Sequence, residues 1–145
     1  MPTKHESITL ALVAALSPHA ARVMREQELP EYCPDEGLIN VMPQDAEEED
    51  QRLGTGVREF ARVYELEVLV QDADETARAV ALDAALAAAA GLLHGQLLGG
   101  LIDYLRLEAP QETEDVPMDG AASLKGAVLP VTVFYETPDN PMESD

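Results

Sequence analysis

The stretch "REFARVYELEVLVQ", Arg58 to Gln71, decides the fold. Phe60, Tyr64, Leu66, Val68 and Val70 occupy alternate positions, and Glu59, Glu65, Glu67 and Gln71 fall between them. A period of two predicts a long strand with one face buried and the other wet, as in a sheet covered on one side only. Val63 and Leu69 interrupt the polar face, either as ordinary surface or as part of a contact with something outside the core.

Upstream, "GLINVM" (37–42) reads as a second strand closed by Pro43, and "QDAEEEDQRLGTG" (44–56) joins the two. Asp45, Glu47, Glu48, Glu49 and Asp50 crowd this connection, and Gly54 and Gly56 end it. A tight hairpin needs only about two to five residues, so this connection is expected to be a mobile loop with a use beyond turning the chain. Its lone G-x-G has no helix after it, so it serves as a hinge and not as a phosphate cradle.

Downstream, "DADETARAVALDAALAAAAGLLHG" (72–95) predicts a helix with acids in its first turn, a stripe of Leu82, Leu86, Ala89 and Leu93, and Gly95 as the residue after its end. Its alanines permit close approach to a sheet, and helix propensity accounts for them equally well. "GGLIDYLRLEAP" (99–110) and "AVLPVTVFYET" (127–137) give two more strands. Pro130 inside the last one removes a ladder donor, which places that strand at an edge or turns the proline nitrogen outward, and an edge invites a partner. A second acidic loop covers 110–123, and 138–145 is a polar tail expected to fray.

At the start, Thr3 to Glu6 forms a capping-box pattern, so a helix spans about 4–16. Ser17-Pro18 then reads as the start of a second short helix through "PHAARVMREQE". The expected class is α+β in the order α-β-β-α-β-β. Its sheet has four strands, mainly antiparallel or mixed, with helices packed on one face of a single domain, 1–137.

Nine Lys and Arg against 28 Asp and Glu give a formal charge of −19, which argues against binding a nucleic-acid backbone. Self-association must then bury a good interface or screen the acids. Cys33 is the only cysteine, so an intramolecular disulfide and a thiolate cluster are both excluded, and its acidic neighbours make it a poor nucleophile. The N-terminal apolar run is too short for a signal peptide, and no run of about eighteen apolar residues occurs; a soluble, cytoplasmic chain without membrane contact is expected.

Catalytic patterns fail one by one. His5-Glu6 opens like a zinc-protease helix, but the second ligand position holds Thr9. His19 and His94 are solitary, and no serine sits in a G-x-S-x-G elbow. The acids lack the spacing of a calcium loop, which leaves at most a weak divalent-cation effect on assembly, and with no Trp and few other aromatics a sugar cleft has nothing to line it. No enzyme activity and no cofactor are expected.

The alternating strand, the Ala-rich helix "TARAVALDAALAAAAGLL", "GGLIDYLRLEAPQETED" and the closing "LPVTVFYET" together resemble the tail terminator, or tail completion, proteins of long-tailed bacteriophages and prophages. The N-terminal helix followed by "LINVMPQ" extends the likeness over nearly the whole chain, and "FYET" is its most distinctive word. The resemblance implies a non-enzymatic virion assembly protein, made in the bacterial cytoplasm and ending in the tail or neck. Such proteins form a homo-hexameric ring that docks on the tail tube protein, stops its polymerisation and presents its other side to a head-completion protein. The contact residues expected on that basis are Asp45, Glu47, Glu48, Glu49, Asp50, Arg52, Arg58, Arg62, Pro130, Thr132 and Phe134. The acidic loop is expected to project to the lumen or an axial face, unsettled until docking, where negative charge lets DNA slide past. Another neck or head-completion connector is the near alternative. A monomeric acidic module imitating DNA is the distant one, opposed by the interleaving of Arg58, Arg62, Arg78 and Arg106 among the acids.

Overall fold

The computed structural model describes residues 2–26, 34–112 and 123–143. Helix α1 (Lys4–Leu16) begins where the capping pattern marks it, with Thr3 Oγ1 accepting from the Glu6 N–H at 3.3 Å. The reciprocal half of the box does not form. The Glu6 carboxylate accepts instead from both terminal nitrogens of Arg25, at 2.6 and 2.7 Å.

That ion pair lies on the first correction to the sequence reading. Arg22–Arg25, expected in a second helix, form strand β1, which runs parallel to β2 (Leu38–Gln51) with Val23 opposite Ile39 and Arg25 opposite Val41. A short helix has little stability of its own, and ladder bonds to β2 outweigh it. His19 helps to fix the turn before β1: its Nδ1 accepts from the Ala21 N–H at 2.9 Å, which leaves Nε2 to donate to the Ala85 carbonyl at 3.0 Å. The end of the expected helix, residues 27 and 28, and Cys33 lie outside the described residues.

The second correction concerns the acidic connection. Strand β2 does not stop at Pro43 but continues to Gln51, paired antiparallel with β3 (Arg58–Asp72). Only Arg52–Val57 turn the chain, closed by the Arg52 N–H to the Val57 carbonyl at 2.8 Å. Alternation had hidden this half of the strand, because β2 carries register shifts between Pro43 and Ala46 and between Glu48 and Asp50. Each admits one extra residue, a β-bulge that breaks the period of two. Pro43 is tolerated because β1 pairs only as far as Val41, and among the described residues no strand pairs with β2 on that side beyond it.

After β3 the chain forms α2 (Glu75–Leu93), a one-turn 3-10 segment at Leu98–Gly100, β4 (Tyr104–Leu107), β5 (Gln111–Glu112) and β6 (Ser123–Thr137). One mixed sheet results, in the order β1-β2-β3-β6-β4, with β5 also on β6. The class is α+β with helices on one face, as expected, but among the described residues six strands are present where four were read, and the order is α-β-β-β-α-β-β-β. Strands β3 and β4 are both antiparallel to β6, so they run parallel to each other and α2 crosses from one to the other with β6 inserted between them. Residues 113–122 of the second acidic loop lie outside the described residues.

Pro130 corrects one of the two alternatives, the edge strand. It sits in β6, a central strand, opposite Glu65 of β3. Its carbonyl accepts from the Glu108 N–H at 3.0 Å on the β4 side, so its missing donor faces that side too, at the break between β4 and β5 where no ladder bond is called for.

The core lies between the helices and the alternate residues of β3 and β6. Ile8, Leu12 and Leu16 of α1 and Leu82, Leu86, Ala89 and Leu93 of α2 bury against Tyr64, Leu66, Val68, Leu129, Val131 and Tyr135. Each fully buried large side chain stabilises by about 1.5–3 kcal/mol relative to exposure. Two polar bonds seat α1 on the sheet: Thr9 Oγ1 with the Tyr64 hydroxyl at 2.7 Å, and His5 Nδ1 with the Tyr135 hydroxyl at 2.6 Å. Helix α2 starts at Asp74, whose carboxylate accepts from the Ala77 N–H, and Gly95 follows its end at φ +75°. By length and composition α2 is apolar enough to cross a membrane, because alanine counts as apolar. Leu82, Leu86 and Leu93, however, are buried in the core, and the outer side of the helix exposes Val80.

Candidate functional site

The register across β2, β3, β6 and β4 fixes which side chains face away from the helices. On β3 these are Glu59, Ala61, Val63, Glu65, Glu67, Leu69 and Gln71, opposite Glu136, Phe134, Thr132, Pro130, Val128, Gly126 and Leu124 of β6. Tyr104 and Arg106 of β4 join them across from Phe134 and Thr132. At the β1 end of this outer face Leu38 and Asn40 are buried, and Asn40 donates to Glu67 at 3.0 Å. Towards the hairpin end the face is open to solvent.

There the bulges of β2 do specific work. Before the first, Leu38, Asn40 and Met42 lie opposite outer-face residues of β3; after it, Glu47 does, opposite Ala61, while Ala46 and Glu48 fall opposite the inner-face residues Arg62 and Phe60. Asp45, Glu47 and Glu49 therefore stand over the outer face. Together with Glu65 they rim a groove of ≈ 510 Å³ whose floor is Ala61, Val63, Thr132 and Phe134. Among the described residues none of these four acids is paired with a cation. A second hollow of ≈ 290 Å³ shares Glu49 and Phe134 and continues to Glu59, Asp103 and Tyr104. Phe134 lies at the junction, stacked on Tyr104 with ring centroids 4.3 Å apart and planes 14° apart. Tyr104 is 53% exposed, so the stack forms an apolar ledge inside an acidic trough.

The remaining nominated residues divide by face. Glu48 turns to the helix side and forms a bidentate ion pair with Arg58, which also lies over the Phe60 ring at 5.7 Å. Those bonds hold the Glu48 carboxyl below its ordinary range. Arg62, on the same side, lies 5.3 Å over Tyr64 and donates from Nε to the Gln44 carbonyl at 2.7 Å, so it holds the bulge. Arg52 stands at the hairpin turn and reaches Glu136 at 2.9 Å and Glu59 at 3.4 Å. Asp50 lies opposite Glu59, and its side chain accepts from the Gln51 N–H. The structure thus brings Asp45, Glu47, Glu49, Thr132 and Phe134 to one groove, with Pro130 further along the same face. It sends Glu48, Arg58 and Arg62 to the other side.

Sequence reasoning did not name Tyr104, Glu65 or Ala61 as parts of the site, and marked Val63 only as an apolar residue on a polar face. The apolar pair Val63 and Leu69 on a polar face was the available signal, and only pairing with β6 and β4 makes Val63 contiguous with Phe134 and Tyr104. Among the described residues no three His, Cys, Asp or Glu side chains gather closely enough to hold a metal ion.

The tip of the hairpin is tied to the C-terminal residues. Gln51 donates to the Asp139 carboxylate at 3.2 Å, Arg58 to the Asp139 carbonyl at 3.3 Å, and Gly56 packs on the Asp139 side chain. Leu53 projects from the turn, 98% exposed.

No family model and no curated protein matches the chain. A chain of a solved structure described as "Virion of native gene transfer agent (GTA) particle" is similar at 19% identity and a TM-score of 0.43, over 93% of this chain and 92% of that one. A likeness that loose carries no argument about function.

Proposed function

We propose that this chain is a non-catalytic virion assembly protein of the tail-terminator kind. It associates head-to-tail into a ring, six subunits being the number the resemblance implies, which caps the tail tube and offers its far side to a head-completion protein. The observation that carries the reading is the half-covered sheet. Its hairpin end exposes an aromatic stack, an open trough and a β2 edge with no paired strand among the described residues, features suited to contact with other protein and not to enclosing a small substrate. A head-to-tail arrangement gives a ring two unlike faces, so one face can match the tube while the other stops its growth.

The acids take a different part from that first expected. They form an ordered strand beside an apolar floor, so they act as a shaped surface. The reading of an acidic module that occupies a basic partner gains one observation in its favour, since Asp45, Glu47 and Glu49 share a face of one strand. Another neck connector remains the near alternative within the same class. The deciding experiment adds purified chain to polymerising tail tube protein and measures tube lengths by electron microscopy. Termination predicts shorter tubes, each with extra density at one end; unchanged lengths at every ratio contradict it.

A further inference from the structure

We propose that the outer-face trough takes a basic segment of a different protein, one that alternates Lys or Arg with apolar side chains. The proposal rests on reading the outer face as a working surface and names the chemistry of its occupant.

Two features set that chemistry. The ledge of Phe134 and Tyr104 with Val63 beside it offers apolar contact, and the stacked rings offer a face to a guanidinium or ammonium group. Asp45, Glu47 and Glu49 rise along one side with no internal cation, so a partner's positive charges meet carboxylates already held in place by the β2–β3 ladder. An apolar-only partner would leave those carboxylates facing it unpaired as water was removed.

A second copy of this chain is the wrong occupant. Lys4, Arg25, Arg52, Arg58, Arg62, Arg78 and Arg106 are each bonded within the chain. A second copy therefore brings few free cations and a formal charge of −19 against an acidic trough. Subunits of a ring therefore meet outside the trough, the β2 edge beyond Pro43 being one surface available for that contact.

The test is an NMR titration of the full chain with a synthetic Lys-Val repeat peptide, with Lys-Ser and Glu-Val repeats of equal length beside it. The Lys-Val peptide is expected to shift the amides of Ala61, Val63, Thr132 and Phe134, and its affinity should fall about tenfold or more between about 50 and about 300 mM salt. The Glu47→Gln/Glu49→Gln double variant and Phe134→Ala should each weaken it by about tenfold, whereas Asp83→Asn on the exposed side of α2 should not. Glu47 and Glu49 lie exposed on the outer face of β2, so these substitutions leave the core intact and folding does not confound them. Absence of binding, equal binding of Lys-Ser, or shifts spread over every acidic surface would overturn the proposal. Light scattering on the same samples separates the two readings: rings without peptide binding sink the trough alone, and peptide binding without rings sinks the ring alone.

Discussion

Arg62 donates from Nε to the main-chain carbonyl of Gln44 at 2.7 Å, at the point where β2 gains its first extra residue. A bulge leaves a backbone group out of the ladder, and here an arginine from the neighbouring strand takes it. The direction in which Asp45 and Glu47 face depends on that bulge. Replacing Arg62 with Met should cost about 0.5–1.5 kcal/mol in urea unfolding, the modest figure reflecting that water reaches the carbonyl. Amide exchange at Ala46 should quicken by more than exchange in the β3–β6 ladder.

Acidification should loosen α1. His5 lies against Phe60 and Tyr135, and burial, followed by the charge of Arg62, holds its pKa below 6.5. Its Nδ1 shares a hydrogen bond of 2.6 Å with the Tyr135 hydroxyl, whose own pKa burial raises. A lowered histidine pKa means the unfolded chain binds the proton first. The contribution is therefore complete above pH 6.5 and is lost as the pH falls through the lower native value. The melting temperature should fall from about pH 7.5 to about pH 5.5, and His5→Phe should flatten that slope. Glu6 adds to the loss further down: Arg25 holds its pKa below 4.5, so its share disappears as the pH drops through that lowered value.

Two glycines of the hairpin turn should respond unequally to alanine. Gly54 and Gly56 have φ of +88° and +74°, where a side chain costs about 1 kcal/mol or more. At Gly54 a Cβ meets nothing within 4 Å, but at Gly56 it comes within 3.0 Å of Asp139 Cβ. Chemical denaturation should therefore rank Gly56→Ala as the more damaging, and only that variant should disturb the Asp139 contacts with Gln51 and Arg58.

Leu12 is fully buried between α1 and the sheet, so Leu12→Ala should destabilise by about 2–5 kcal/mol while leaving the trough chemistry unaltered. Phe134→Ala should do the reverse, costing less in stability and more in peptide binding.

The long periodic elements were legible because their signals are local. Phe60 to Val70 alternate, Leu82 to Leu93 recur at helical spacing, and Thr3 and Asp74 cap the helices where the sequence places them. Strand β1 was not legible, because four residues give no period and its stability comes from a partner more than ten residues away. The acidic half of β2 was misread as a loop because acids disfavour strands and two bulges erase the alternation. Of the trough, Thr132 and Phe134 were named as contact residues only through the resemblance, with no reading of what stands beside them. They matter because β6 is central and sets them beside Val63 and Tyr104.

The proposed ring requires this chain to associate with other copies of itself. The most direct measurement is its mass in solution by light scattering as sodium chloride and then magnesium are raised. Assembly predicts a shift from the 15.7 kDa monomer to a discrete species of about six subunits as the acids are screened, reversible on dialysis to low salt. A mass that stays at the monomer under every ionic condition would contradict it.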